Sequence, residues 1–371
     1  MVAVADRERH ASPDEADGAG MDEVDGARMV GIIGRGRGVQ AIAAAARAAG
    51  WEVCSGDGGS VAAGGARIVV ADAEGDASAT EHLLRTLDAA TAPDVVLAVD
   101  PGHQSVQECA RGTRRPERVI GLNHVSFDTA SAVVELVVAE RSQPWALEVA
   151  ARSLAALGLR AVTCADAPGR IVDRIGRPYT VEAVRLLEAG HADVAAIDAA
   201  FEASGYACGP LRLIDRVGLD VDLDIDVALC AAFHQAPRFR PPALLRSLVA
   251  VGRTGRDHGR GFYRYAEDGS SRPDLEIALS DPMPAEGIVE RLELAVINEA
   301  YRAVEEGVAS PQDVDVALRL GLGHPRGPFE LVDHLGLRHV VARLHDIHAD
   351  GQARSGDQYA VAAALWQVAT L

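Results

Sequence analysis

One long stretch of this chain occurs twice, and the repetition constrains the possible folds more than any other feature. The first copy covers residues 169–219 and the second covers residues 288–337. Pairs of landmark residues are separated by the same interval: Arg174 and Arg291, Glu182 and Glu299, Gly190 and Gly307, Asp198 and Asp315. After one inserted residue the match continues through Gly209-Pro210 with Gly327-Pro328, Asp215 with Asp333, and Gly218-Leu219 with Gly336-Leu337. A register that holds through so many positions indicates an internal duplication.

Each copy has the pattern of several short helices. Apolar residues recur at helical spacing in the first copy, at Val181, Ala183, Val184, Leu186 and Leu187. Gly190 should end this helix, and either Asp193 or Asp198 can begin the next one. Gly209-Pro210 makes a break before a further short helix. We therefore expect the two copies to pack on each other as one helical body.

Before the repeats, a strand, a glycine turn and an Ala-rich helix follow one another. Residues 30–33 form an apolar run suited to a buried parallel strand, and Gly34 and Gly36 make the turn. This is the context of a dinucleotide fingerprint, in which the glycines let a pyrophosphate approach the helix N-terminus. The third fingerprint glycine falls on Val39, and Gly38 comes one position early. We expect Val39 to push the helix away from the strand.

The second predicted strand, at residues 52–54, leads to Asp57. An acidic residue at this distance from the glycine turn accepts the ribose hydroxyls and favours NAD over NADP, whose 2′-phosphate it would repel. Arg35 and Arg37 in the turn would favour the opposite choice. The prediction is an NAD-binding Rossmann-like domain, with Gly34, Gly36 and Asp57 at the cofactor. The alternative is a Rossmann scaffold that no longer holds a nucleotide.

The remaining elements complete an α/β pattern. Apolar strands are predicted from Ile68 and at 95–99, 133–138 and 161–164, with helices at 80–90 and 145–157. The crossover from Asp57 to Ile68 has about ten residues, fewer than the dozen or more of an ordinary parallel crossover. The fold class is thus a shortened Rossmann-type domain followed by an all-α domain of two tandem repeats. The predicted boundaries are 1–28 for a flexible acidic tail, 29–166 for the NAD-binding domain, and 167–266 and 284–371 for the helical repeats.

Composition limits the partners. A formal net charge of −18 argues against nucleic acid and against anionic membrane surfaces. No apolar run is long enough to span a bilayer, and the first residues are too polar for a secretory signal. The five cysteines are scattered without a CxxC pair or metal-ligand spacing. We therefore expect reduced thiols, no metal and a cytoplasmic location.

The helical segments resemble the C-terminal domain of 3-hydroxyacyl-CoA dehydrogenases. The resemblance is carried by APGRIVDRIGRPY, EAVRLLEAG and GPLRLIDRVGLD, and by a linking segment at residues 240–265 that ends in GRGFYRY. It implies NAD-dependent oxidation of a 3-hydroxyacyl-CoA to a 3-ketoacyl-CoA, in fatty-acid or related acyl-CoA metabolism. Family members carry a longer helical excursion between the positions of Asp57 and Ile68, which helps to hold the CoA. Members with a single helical copy dimerise through it, so the duplication implies a monomer, with a homodimer as the alternative.

The same resemblance assigns the catalytic positions. In the family a His takes the hydroxyl proton as hydride leaves for the nicotinamide, a Glu orients that His, and a Ser and an Asn contact the substrate oxygens. The Glu is retained as Glu135. The His, Ser and Asn positions are occupied by Asn123, Gly102 and Asp173. An amide such as Asn123 cannot take a proton at neutral pH.

Two histidines are alternative bases. His124 directly follows the replaced position, although one step along a strand turns a side chain to the opposite face. His103 could reach the site from the neighbouring strand end. If His124 serves, its side chain should meet Glu135 at hydrogen-bond distance. Without a His partner, Glu135 caps a helix or pairs with an arginine. We expect Asp173 to form a structural ion pair with Arg174. The alternative functions are a non-catalytic binding or scaffolding homologue and a dehydrogenase of a smaller hydroxy acid.

Overall fold

The computed structural model of the protein describes residues 28–56, 65–72, 77–126, 132–349 and 357–370. The predicted tail, apart from Arg28, and the predicted ribose-binding Asp57 lie outside the described residues. Among the described residues, no helix has the length and apolar character needed to cross a membrane.

A seven-stranded sheet forms the N-terminal part. Its strands are β1 Met29–Ile33, β2 Glu52–Ser55, β3 Ile68–Ala71, β4 Val96–Val99, β5 Val119–Ser126, β6 Ala132–Val138 and β7 Arg160–Ala165. They lie in the order β2-β1-β3-β4-β5-β6-β7, and every neighbouring pair is parallel except β5 and β6. The predicted strands are confirmed to within one or two residues at their ends.

Helices cover both faces of the sheet, which explains why the strands are apolar throughout. The helices of this part are α1 Arg37–Ala48, α2 Ala77–Ala90, α3 Val106–Cys109 and α4 Pro144–Ala156. One face packs against α1 and α4, with Val39 and Leu154 fully buried among strand side chains. The other face packs against α2 and against the helical part of the chain, where Gly321 closely approaches Val133 of β6. The helical domain is therefore seated directly on the sheet.

The helical domain follows β7. Its helices are α5 Val172–Glu188, α6 Val194–Ala203, α7 Pro210–Val217, α8 Leu219–Ala232, α9 Ala243–Ala250, α10 Ala285–Glu305, α11 Pro311–Leu322, α12 Pro328–Leu335, α13 Leu337–Ala349 and α14 Ala363–Thr370. A short hairpin of β8 Tyr263–Tyr265 and β9 Ser271–Pro273 lies between α9 and α10. A Rossmann-like domain followed by a helical domain is therefore the observed architecture.

Local capping explains where several of these helices begin. Asp193 is the N-cap of α6, and its carboxylate accepts a hydrogen bond from the Ala196 N–H at 2.8 Å. Asp198 does not begin a helix. It is buried, and its carboxylate accepts from the Leu211 N–H at the start of α7 at 2.9 Å. Gly209 is required beside it, because a Cβ there would lie 2.3 Å from Asp198 Cα.

The longest helices, α5 and α10, pack together through two reciprocal ion pairs. Arg174 of α5 contacts Glu299 of α10 at 2.8 Å, and Arg291 of α10 contacts Glu182 of α5 at 3.5 Å. All four side chains are buried. The expected pair between Asp173 and Arg174 is wrong, because adjacent residues on a helix point in different directions. Arg174 points across the interface instead.

Candidate active site

The glycine turn borders a large cavity at the carboxyl ends of β1, β2 and β3. The cavity has a volume of about 840 Å³, and its polar lining comes from Arg35, Gln40, Ser55, Asp72 and His82. It lies beside β1, where the strand order reverses because β2 lies on one side of β1 and β3 on the other. Ligand sites of open α/β sheets occupy this position.

The turn itself has the geometry that a dinucleotide needs. Gly34 has a φ of 106°, which favours glycine, and its carbonyl accepts a hydrogen bond from Gln40 Nε2 at 2.9 Å. The chain then enters α1, whose N-terminus faces the turn. Val39 is fully buried between α1 and the sheet, so the turn is retained with valine at the third fingerprint position. The cavity and turn fit a dinucleotide, while Asp72 beside the turn opposes its negative pyrophosphate.

Glu135 connects the sheet to the helical domain. It lies on β6 directly opposite Asn123 of β5, and its Oε2 accepts from Asn123 Nδ2 at 2.7 Å. Its Oε1 accepts from the backbone N–H groups of Ile171 and Val172 at 3.0 and 2.9 Å. The side chain is fully buried. Glu135 therefore caps the N-terminus of α5 and holds the Asn123 amide at the same time.

Burial raises the pKa of Glu135, and the charge of Asp173 raises it further. The Val172 N–H, the Arg170 charge and the Asn123 amide oppose these effects without reversing them. Because the Asn123 amide nitrogen points at the carboxylate, its Oδ1 points away and can only accept hydrogen bonds. Glu135 thus orients the Asn123 amide at the position where the resemblance places the catalytic His, but the amide is not a base.

His124 does not meet Glu135. It lies opposite Val134 in the β5–β6 register, and its Cβ is 3.2 Å from where a Cβ on Gly38 would lie. Side chains alternate along a strand, so His124 faces α1 while Asn123 lies on the other face and donates to the Glu135 carboxylate. Burial lowers the pKa of the His124 imidazole. The predicted contact between His124 and Glu135 is therefore wrong.

A second cavity lies between the loop after β4 and the helical domain. Its volume is about 110 Å³, and it is lined by His103, Ser105, Arg170 and Asp173 together with apolar side chains of α8. His103 is exposed. Two of the positions singled out in the sequence, His103 and Asp173, are thus brought to one cavity. Gly102, at the family's serine position, lies in the turn next to it.

Arg170 holds this turn and was missed by the sequence reasoning. Its guanidinium is buried, and Nη2 donates to the carbonyls of Gly102 and Gln104 at 2.8 and 3.2 Å. Its φ of 50° is unusual for a residue with a side chain. The available signal was a bulky cation directly after the Pro168-Gly169 turn.

Asp166 was missed as well. Its carboxylate accepts from the Ser105 hydroxyl at 2.6 Å and from the Val106 N–H at 3.0 Å, which fixes the start of α3 from a distant part of the chain. Asp166 and Arg170 therefore fix the loop that carries His103 through hydrogen bonds from both sides of it.

Two family models match most of the chain. The model described as the 3-hydroxyacyl-CoA dehydrogenase NAD binding domain matches residues 57–167. The model described as the 3-hydroxyacyl-CoA dehydrogenase C-terminal domain matches residues 169–265 and 288–370.

Curated relatives give the same result. The fatty acid oxidation complex subunit alpha of Shewanella amazonensis is 32% identical over 81% of this chain and 43% of the relative. The protein of that name from Shewanella frigidimarina is 30% identical over 82% of this chain and 44% of the relative. The chain therefore spans less than half the length of these relatives.

Solved structures share the fold. The 3-hydroxybutyryl-CoA dehydrogenase of Escherichia coli superposes with a TM-score of 0.80 at 23% identity, over 92% of this chain and 98% of that one. FadB2 of M. tuberculosis superposes with a TM-score of 0.59 at 28% identity, over 65% of this chain and 100% of that one.

Proposed function

The chain belongs to the 3-hydroxyacyl-CoA dehydrogenase family, and we propose that it interconverts a 3-hydroxyacyl-CoA and a 3-ketoacyl-CoA with NAD as cofactor. The observation that carries the proposal is the buried Glu135 on β6, which contacts both Asn123 of β5 and the start of α5. The pathway would be fatty-acid or related acyl-CoA metabolism, as the name of the curated relatives suggests.

NAD, when bound, accepts or supplies the hydride. Gly34 and Gly36 would hold it at the turn before α1, and the cavity beside them has room for its adenosine end. Asp57 would accept the ribose hydroxyls.

Glu135 acts as a positioning residue. Its carboxylate fixes the Asn123 amide at 2.7 Å, so that Asn123 Oδ1 can accept a hydrogen bond from the substrate hydroxyl. Asn123 does not take the proton. Of the two histidines, His103 is the better-placed base, because it shares a cavity with Asp173 whereas His124 faces α1.

Two histidine variants test the assignment of the base. NADH binding is first measured by fluorescence titration, and the reduction of acetoacetyl-CoA is then followed. His103→Ala should reduce kcat by about 100-fold or more, as expected for the loss of a general acid–base group, while NADH affinity is unchanged. His124→Ala should leave kcat within a factor of a few. The reverse pattern would assign the reaction to His124.

The repeated helical segments form the second part of the proposal. We propose that residues 167–266 and 284–371 are two copies of one unit, and that their contact replaces a contact between subunits. The reciprocal pairs of Arg174 with Glu299 and Arg291 with Glu182 support this, since exchange of the two helices leaves the pairing unchanged. Light scattering should give the monomer mass of 38.9 kDa. A concentration-independent dimer would contradict it.

One observation favours a rival function. The group held by Glu135 is an amide, which is suited to binding and not to proton transfer. A non-catalytic binding or scaffolding homologue would bind NADH or acyl-CoA and show no turnover with any 3-ketoacyl-CoA.

A further inference from the structure

Asp72 lies against the glycine turn. It directly follows β3, and its N–H donates to the Ile33 carbonyl of β1 at 2.9 Å, which brings it to the end of the neighbouring strand. A Cβ built on Gly36 would lie 2.0 Å from Asp72 Oδ2, and one built on Gly34 would lie 2.4 Å from the Asp72 carbonyl oxygen. Asp72 thus occupies the space that a side chain at either glycine would fill.

In a dinucleotide site, that open side serves the cofactor. The glycines lack side chains so that the pyrophosphate can approach the backbone, and the helix N-terminus behind them favours its negative charge. Here the same space is bordered by a carboxylate of the chain itself. The Asp72 side chain also lines the adjoining cavity of about 840 Å³.

A second carboxylate adds to the negative charge at this helix end. Asp100 follows β4, and its Oδ2 lies 3.6 Å from where a Cβ on Gly38 would lie, within the first turn of α1. Burial is the main cause that raises the pKa of Asp100, and the charge of Asp72 contributes to the same shift. The Asp100 N–H donates to the Ala71 carbonyl at 2.9 Å, so the two carboxylates follow neighbouring strands and both lie beside the start of α1.

We propose that Asp72 determines the affinity of the dinucleotide site by competing with the cofactor's pyrophosphate for the glycine turn. The inference rests on the proposed use of NAD. Binding requires the Asp72 side chain to turn away from Gly36, and the free chain holds its nucleotide site partly closed. Moving the Asp72 side chain weakens the binding of any ligand that carries a diphosphate at this position. It does not affect ligands that occupy only the adenosine end of the cavity.

The test compares Asp72→Asn and Asp72→Ala with the full-length parent chain. Asp94→Asn is the matched control, because it removes the same charge as Asp72→Asn. Asp94 is exposed just before β4, at the opposite end of the strands from the glycine turn. NADH is titrated by fluorescence, and ADP and adenosine by calorimetry, with thermal melting to verify that each variant is folded. ADP carries the diphosphate and adenosine does not.

Both Asp72 variants should bind NADH and ADP about ten-fold more tightly, as expected when a unit charge facing a phosphate is removed. Their affinity for adenosine, and all affinities of Asp94→Asn, should match the parent. Unchanged or weaker NADH binding by both Asp72 variants overturns the inference and leaves the proposed function intact. An equal gain for adenosine and ADP also overturns it. Failure of every chain to bind NADH overturns both proposals.

Discussion

Asn123 and Glu135 face each other on β5 and β6, and the identity of residue 123 sets what this pair can do. An imidazole at position 123 would lie beside the buried carboxylate, which can orient it and stabilise its charged form. Asn123→His should therefore raise kcat for acetoacetyl-CoA reduction by about 100-fold, within the range of general acid–base catalysis. Asn123→Gln, which keeps an amide, is the control. Equal rates for the two variants would show that residue 123 does not face the reacting hydroxyl.

Asp226 provides a test of electrostatics at a single residue. It is buried on α8, where burial and the charge of Asp222 raise its pKa to about 8 although Arg177 contacts both carboxylates. The pKa of an Asp side chain in the unfolded chain is about 4. Between pH 4 and 8 the folded chain therefore binds more protons at Asp226 than the unfolded chain does. This contribution to the free energy of unfolding is complete below pH 4 and is lost as the pH rises through 8.

Asp226→Asn should remove the decrease in the free energy of unfolding that the ionisation of Asp226 causes as the pH rises. Its free energy of unfolding should approach that of the parent at pH 5 and exceed it at pH 9, as measured by urea denaturation at each pH. Asp224→Asn changes an exposed residue on the same helix and should leave the pH dependence unaltered. Parallel curves for Asp226→Asn and the parent would mean that Asp226 is ionised throughout this range.

At the scale of elements, the contact between α5 and α10 is the central one in the helical domain. Glu299 accepts hydrogen bonds from Arg174 and Arg238 at 2.8 and 3.0 Å while being almost fully buried. Glu299→Gln removes the buried carboxylate from both arginines and leaves Arg174 only Glu306 and Arg238 only Asp357, which are more exposed. It should lower the free energy of unfolding by about 3 kcal/mol. Glu148→Gln, which breaks an exposed pair with Arg152 on α4, should cost less than about 1 kcal/mol. Similar losses in both variants would contradict the role of the α5–α10 contact.

The elements themselves were largely predictable because their signals are local. Gly190 and Asp193 mark the end of α5 and the start of α6, and the apolar runs of the strands need no distant partner. Alternation along β5 was enough to place Asn123 and His124 on opposite faces.

The working parts of the site were harder to predict, because they depend on contacts between distant segments. Arg170 holds the carbonyls of Gly102 and Gln104, and Asp72 lies against Gly36 from another strand end. No spacing in the sequence encodes such contacts. They follow from the order of the strands in the sheet, which the sequence pattern leaves open.

At the scale of the whole molecule, the two domains meet where the chemistry would take place. β6 supplies Glu135, the start of α5 supplies the N–H groups that bind it, and α11 packs onto β6 close by. Motion of the helical domain relative to the sheet would therefore disturb Glu135 directly. We therefore expect Glu299→Gln, which weakens the α5–α10 contact, to lower kcat for acetoacetyl-CoA reduction as well as stability.

The proposed activity passes hydride between NADH and a 3-ketoacyl-CoA. The direct measurement of this transfer uses NADH that carries deuterium in both positions at C4 of the nicotinamide, with acetoacetyl-CoA as the acceptor and mass spectrometry of the product. We expect 3-hydroxybutyryl-CoA with deuterium at C3, formed in proportion to the enzyme concentration. Recovery of unreacted acetoacetyl-CoA, or of a reduced product without deuterium, would contradict it.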